Sequence, residues 1–134
     1  MLGSSGISIS AIGLGCMGMS EFYGETNDDE SIKVVQRAAE LGVTFFDTAD
    51  TYGIGHNEIL LGKALRKAST KGVIATKFGI VRKPGMYERH IDNSPEYIRK
   101  ACEECYAQLC GALHYLDRLV IIGLAVKFRH SHTA

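Results

Sequence analysis

Phe45-Phe46-Asp47-Thr48-Ala49-Asp50-Thr51-Tyr52-Gly53 is the stretch that decides the fold. It opens as an apolar strand, with β-prone Thr44, Phe45 and Phe46, and ends as a polar loop. Asp47 sits where the strand should emerge from the core, and Gly53 and Gly55 release the chain into a turn. Val73-Ile74-Ala75-Thr76-Lys77 repeats the plan, an apolar strand with one charge at its C-terminal end. Two parallel strands of this kind would bring Asp47, Tyr52 and Lys77 to one rim. A phenol titrates near about 10, and a neighbouring ammonium favours its charged form. Tyr52 as general acid, Lys77 as the group that tunes it and Asp47 as the lysine's partner would form a proton-relay site. The plain alternative is a strand-end aspartate, a loop tyrosine packed on a helix and a solvated lysine.

Outward from these strands, the chain alternates strand and helix. Leu2 precedes the turn-rich Gly3-Ser4-Ser5-Gly6, and Ile7-Ser8-Ile9-Ser10 alternates with period two, so residues 1–10 read as a small β-hairpin. Ala11 to Leu14 is the expected first strand of the sheet, followed by a glycine-rich exit loop, Gly15-Cys16-Met17-Gly18-Met19. The loop lacks the glycine order of a dinucleotide-binding strand–turn–helix. Asn27 caps a first helix with Glu30 three residues on; Ile32, Val35 and Ala39 form its apolar stripe, and Gly42 stops it. A second helix is expected from about Asn57 to Ala68, with Ile59, Leu60, Ala64 and Leu65 inward, and residues 69–72 turn back into the strand at 73–77. Residues 78–93 read as a long loop with a Pro84-Gly85 turn, placed to contact a substrate if it lies at a rim. Ser94 and Pro95 open a third helix whose apolar face is Tyr97, Ile98, Ala101, Cys102, Cys105 and Leu109. This βαβα order predicts a parallel sheet with right-handed crossovers.

The 134 residues fit one domain, and the 46% apolar and 22% charged content is that of an ordinary globular protein. A formal net charge of zero argues against a nucleic-acid or anionic-membrane partner. The longest apolar run, Leu119 to Val126, is too short to span a bilayer, and the N-terminus lacks a signal-peptide pattern, so a cytoplasmic location is expected. Cys102 and Cys105 form a C-x-x-C on a helix with no second ligand pair nearby; ordinary thiols in a reducing compartment are expected there, without a metal. His130-Ser131-His132 reads as a polar chain end.

Four motifs carry a resemblance: Gly13-Leu14-Gly15-Cys16-Met17-Gly18-Met19-Ser20, then Phe46 to Gly53, then Asn57-Glu58-Ile59-Leu60-Leu61-Gly62-Lys63-Ala64-Leu65, then Ala75-Thr76-Lys77-Phe78-Gly79. In order and separation they resemble the aldo-keto reductase superfamily, most nearly its NADP-dependent branch with a G-L-G-C-M-G-M-S opening. The resemblance covers roughly residues 1–109; residues 110–134 diverge. It implies a (β/α)8 TIM-type barrel cut to its first three or four β/α units, with the N-terminal hairpin closing the barrel bottom. It also implies NADPH-dependent reduction of an aldehyde or ketone to an alcohol. Asp47, Tyr52 and Lys77 carry over as catalytic, and Gly15, Cys16, Met17 and Asp47 as the residues nearest the nicotinamide ribose.

Tyr115-Leu116-Asp117 matches the start of the family's next strand, but Ile122 then stands where a catalytic histidine is expected. His114, His130 and His132 are out of register, so that role is unassigned. A barrel needs about 200 residues or more. The half that would hold the cofactor's pyrophosphate and 2′-phosphate is missing, which leaves two open sheet edges and an uncovered inner face. The expectation is therefore a truncated gene product, or one read in another frame after about residue 104. The competing reading is a non-catalytic fragment or pseudoenzyme that acts only by self-association or by joining a longer chain to close a barrel.

Overall fold

The computed structural model describes residues 1–68, 72–86, 88–110 and 116–123, the last segment and Cys110 as backbone only. The turn at 69–71, Tyr87, and His114, His130 and His132 lie outside the described residues.

Four strands form one parallel sheet in the order β1-β2-β3-β6: β1 Leu14–Gly15, β2 Phe45–Asp47, β3 Gly72–Phe78 and β6 Leu116–Gly123. The register pairs Leu14 with Phe46, Phe46 with Ile74 and Ile74 with Leu119. Three helices connect these strands: α1 Asp28–Glu40, α2 His56–Ala68 and α3 Pro95–Cys110. This is the alternation expected for the opening part of a β/α barrel.

Period two sorts the strand residues between two faces. Phe46 and Ile74, each fully buried, point to the helices, where Ile32 and Val35 of α1, Leu60, Leu61, Ala64 and Leu65 of α2 and Leu109 of α3 meet them. Each large side chain buried there contributes roughly 1.5–3 kcal/mol. Asp47 and Lys77 stand an odd number of residues from Phe46 and Ile74 on their strands, and are accordingly only half-buried. The same alternation that builds the core thus sends the two charged residues to its opposite face.

The helix boundaries follow local chemistry. Asn27 Oδ1 accepts from the Glu30 amide at 3.1 Å, and three acidic residues, Asp28, Asp29 and Glu30, occupy the positive end of α1. Gly42, at φ 88°, follows the helix C-terminus. Ser94 Oγ accepts from the Tyr97 amide at 3.2 Å and caps α3.

The structure changes four expectations, the first being Ile59, expected on the inner side of α2 but exposed there while Leu60 and Leu61 are buried. In residues 1–10 the chain does reverse, with Leu2 N donating to Ile7 O at 2.8 Å, but no strand ladder forms. That segment is pinned to β2 instead by a reciprocal pair, Ser10 N to Thr44 Oγ1 and Thr44 N to Ser10 Oγ. The first strand is not Ala11–Leu14 but the short Leu14–Gly15, because only there does the backbone run beside β2. Residues 78–93 are not a structureless loop. Strand β3 runs to Phe78, and β4 Ile80–Arg82 pairs antiparallel with β5 Arg89–Ile91 around the expected Pro84-Gly85 turn. The second strand of that hairpin is exposed at every position, so it carries no alternation of polarity for a sequence reading to detect.

Candidate active site

The ladder between β2 and β3 does not end with the strands. Thr48 N donates to Ala75 O at 2.8 Å and Asp50 N to Lys77 O at 3.0 Å, so the loop that leaves β2 stays laced to β3. Tyr52 N then donates to Ala49 O, and Gly55 N to Asp50 O, folding the loop into a turn. Gly53 at φ 56° and Gly55 at φ 82° supply the left-handed backbone this turn requires. Ile54, between them at φ 53°, adopts the same region at the cost expected for a β-branched residue.

Asp47, Tyr52 and Lys77 come together at this rim. Lys77 Nζ donates to Asp47 Oδ1 at 2.6 Å and to Thr48 O at 2.7 Å, and it stands 5.3 Å from the centre of the Tyr52 ring. An ammonium has three N–H donors, so two of them are committed to holding it in place. The lysine and aspartate side chains keep 26% and 40% of their surface exposed. A pair that wet contributes at most about 1 kcal/mol to stability, so its value lies in placing a cation beside a phenol. A small, largely apolar pocket of about 120 Å³ opens against Tyr52 and Lys77, with Ala49, Phe78 and Ile80 among its walls. Larger crevices lie elsewhere, one of them lined by Asp50, Glu58 and Tyr97, but this pocket is the one with both Tyr52 and Lys77 in its wall.

The four residues expected at the cofactor are placed unequally. Gly15 is exposed, and a Cβ there would meet nothing within 4 Å. Asp47 opens to the same rim, and Met17 is half-buried in a short 3-10 turn, Met17–Met19. Cys16 is different. Its side chain is fully buried, its amide donates to Asp47 O at 2.8 Å and its carbonyl accepts from Asn57 Nδ2 at 2.8 Å. Burial, and next the Asp47 charge, push the thiol up to about 12, so it is a neutral core group. Cys16 builds the floor of the loop rather than its surface.

Several residues that the sequence reading did not single out hold the site from behind. Asn57 donates to Cys16 O and to Ser20 Oγ, and its Oδ1 accepts from Thr48 Oγ1 at 2.7 Å, tying the exits of β1 and β2 to α2. Glu58 is fully buried. Its Oε1 accepts from the Thr76 hydroxyl at 2.6 Å, and Oε2 faces the Gln108 amide at 2.9 Å in the orientation that satisfies both groups. Burial raises its carboxyl above the usual range, against the pull of Thr76 and Cys105.

Asp50 is also raised by burial. Its Oδ2 accepts from Tyr97 at 2.9 Å, while Oδ1 is buried without a partner among the described residues. The Tyr97 phenol is pushed up to about 12 by burial and by its bond to Asp50. The clue in the sequence was Asn57-Glu58 at the start of a helix otherwise apolar on its inner side. Nothing local shows that both would be buried.

Cys102 and Cys105 are free thiols one helical turn apart. Cys105 is buried, and burial followed by the neighbouring Glu58 charge drives its thiol far above the ordinary range. Among the described residues no three metal-ligating side chains come together, and no helix is long and apolar enough to cross a membrane. At the far edge of the sheet the backbone of Ile122 pairs in register with Lys77; this is the position where the resemblance expects a histidine.

Parallel strands, helices on one side and a polar cluster at the strands' C-terminal ends define a β/α-barrel protein with its chemistry at the rim. The profile of the Aldo/keto reductase family matches residues 11–122, and the chain belongs to that family. The match runs past residue 109 into β6. The chain is 44% identical over 118 residues to a probable aldo-keto reductase 1 of Glycine max, covering 87% of this chain and 33% of that protein. It is 37% identical over 116 residues to the NADP(+) aldo-keto reductase yakc of Schizosaccharomyces pombe, covering 83% and 34%. The structure is similar to the glycerol dehydrogenase AKR11B4 of Gluconobacter oxydans, with TM-score 0.67 and 29% identity over 76% of this chain and 32% of the other. The chain thus spans about a third of the length of the curated relatives it matches.

Proposed function

We propose that this chain carries the proton-donor half of an NADPH-dependent carbonyl reductase site, with Tyr52 as general acid, Lys77 beside it and Asp47 holding the lysine. The observation that supports this most is the lysine's geometry: two of its donors are fixed by Asp47 and Thr48, and its charge lies 5.3 Å from the Tyr52 ring centre. NADPH, when bound, supplies a hydride to the carbonyl carbon. The chain's own part is to receive the carbonyl oxygen. The Tyr52 hydroxyl gives that oxygen its proton, and the Lys77 ammonium stabilises the negative charge that develops there, in a pocket walled by Ala49, Phe78 and Ile80.

The nicotinamide end of the cofactor is assigned to Gly15 and Asp47, which pair in register at the ends of β1 and β2 beside Lys77. The name of the fission-yeast relative includes NADP(+), which supports the choice of cofactor. The substrate is an aldehyde or ketone, and the domain is one partial barrel whose sheet includes β6, paired with β3.

Titration of the purified chain with NADPH, followed by nicotinamide fluorescence and then by carbonyl turnover, tests the reading. Saturable micromolar binding and turnover that falls by about 10²–10⁴-fold in Tyr52→Phe are expected. Turnover unchanged in Tyr52→Phe would sink the assignment.

A second reading is favoured by the sheet itself. Among the described residues the parallel sheet stops at β1 on one side and β6 on the other, with no strand paired beyond either. On this reading the chain is non-catalytic and acts by pairing with a second copy, or with a longer homologue, to close a barrel.

A further inference from the structure

Arg82, at the end of β4, contacts neither Tyr52 nor Lys77 in any hydrogen bond among the described residues, yet it meets the loops that leave β1 and β2. Its Nε donates to Thr51 Oγ1 at 3.1 Å and to Thr51 O at 3.2 Å, and one terminal nitrogen donates to Thr51 O at 2.6 Å. The same nitrogen is bonded to Glu21 Oε2, in the loop that follows β1. Both side chains of that ion pair are largely buried, at 14% and 16% exposure. The guanidinium also lies over the Phe22 ring, 5.8 Å from its centre. Phe22 is held at φ 72°, a conformation a bulky residue adopts only when its surroundings over-determine it. One side chain therefore locks three separate loops: the β1 exit at Glu21 and Phe22, the β2 exit at Thr51 and the hairpin that carries Arg82 itself.

Thr51 immediately precedes Tyr52. Its carbonyl receives two of these bonds, so the peptide that leads into Tyr52 is oriented by Arg82. On the opposite side the loop is held through Asp50, whose amide donates to Lys77 O and whose carboxyl accepts from Tyr97. Of these anchors only Arg82 reaches across from a different loop to grip the residue next to the phenol. A lysine could carry the same charge, but it lacks the planar fork that reaches Glu21 and Thr51 together.

We propose that Arg82 is a positioning residue for Tyr52, setting the approach of the phenol to Lys77 by clamping Thr51 against Glu21. This rests on the reading of Tyr52 and Lys77 as the proton-donor pair.

The test is a double-mutant comparison on the whole chain at neutral pH, read by the ring resonances of Tyr52 in NMR, which are identified by their loss in Tyr52→Phe. In the parent chain Lys77→Met should shift those resonances, because it removes a cation beside the ring. In Arg82→Lys, and independently in Glu21→Gln, the same replacement should shift them at least about twofold less, while the Phe46 ring and Leu61 methyl signals of the core stay in place. A full-sized shift in the Arg82→Lys background would overturn the proposal. So would core signals that move together with those of Tyr52, or a parent chain in which Lys77→Met leaves Tyr52 unmoved. Carbonyl turnover, measured separately, judges the proton-donor reading: coupling without turnover would defeat that reading and leave the positioning role standing.

Discussion

At the scale of single residues, the charges of this protein divide into two kinds. Asp47 and Lys77 are half-wet and cheap to keep, whereas Glu58 is fully buried and expensive. Burial raises the Glu58 carboxyl above the ordinary value of 4.5, so the folded state binds its proton more tightly than the unfolded chain does. The sign of the consequence follows from linkage: whatever stability the neutral form provides is complete below pH 4.5 and is lost as pH rises through the folded value. Asp50, raised from 3.8 for the same first reason, acts in the same direction. Chemical denaturation of the parent chain from pH 4 to pH 8 should therefore show stability declining with pH. Glu58→Gln should flatten that decline, because the amide cannot ionise. A decline equally steep in Glu58→Gln would assign the pH dependence to other groups. Glu58→Ala is a harsher change. It strips Thr76 of its acceptor and should cost about 1–3 kcal/mol from that lost partner alone, read as a lower denaturation midpoint. Lys77→Met, at a site so much more exposed, should cost no more than about 1 kcal/mol.

At the scale of elements, the site is supported by how closely α2 and α3 approach. Gly62 lies where a Cβ would come within 3.2 Å of Gln108 O and 3.7 Å of Leu109 Cα, backbone atoms that cannot swing aside. Gly62→Val should push α3 outward, disturb the contact of Gln108 with Glu58, and destabilise the fold by about 1–3 kcal/mol through overpacking. A thermal melt would register that as a fall of several degrees. An unchanged melting temperature would show that the two helices can slide apart freely. The β4–β5 hairpin is the other supporting element. It was unreadable as regular structure because β5 is exposed at all its positions, and its role at the rim depends on Arg82 rather than on any apolar pattern.

At the scale of the whole molecule, the parallel sheet of the described residues runs from β1 to β6, with no strand paired beyond either among those residues. Parallel strands in folded proteins are ordinarily covered on both faces and rarely left with open edges. Sedimentation velocity over a range of concentrations should accordingly show this chain forming species larger than a monomer, with NADPH shifting the distribution if the cofactor site is completed by a second copy. A strictly monomeric chain that still binds NADPH would remove the case for association and strengthen the simpler catalytic reading.

What the sequence determined by itself is the order and type of the main elements, most residues of the core though not Ile59, which is exposed, and the strand ends that carry Asp47 and Lys77. These are local matters: a 3.6-residue or two-residue period, a cap at Asn27 or Ser94, and a charge directly after an apolar run are all written within a few consecutive residues. What only the tertiary structure decided is which polar groups are buried together. Asn57 and Glu58 of α2, Thr76 of β3, Tyr97 of α3 and Arg82 of β4 come from four different elements, and nothing near any one of them in the chain states which partner it will meet. Cys16 shows the same limit from the other side: the resemblance places it near the nicotinamide ribose, and only the packing of Asn57 and Asp47 around it shows that its side chain is buried. Burial is a property of the assembled neighbours, so the groups whose chemistry depends on burial become legible only once the fold has closed around them.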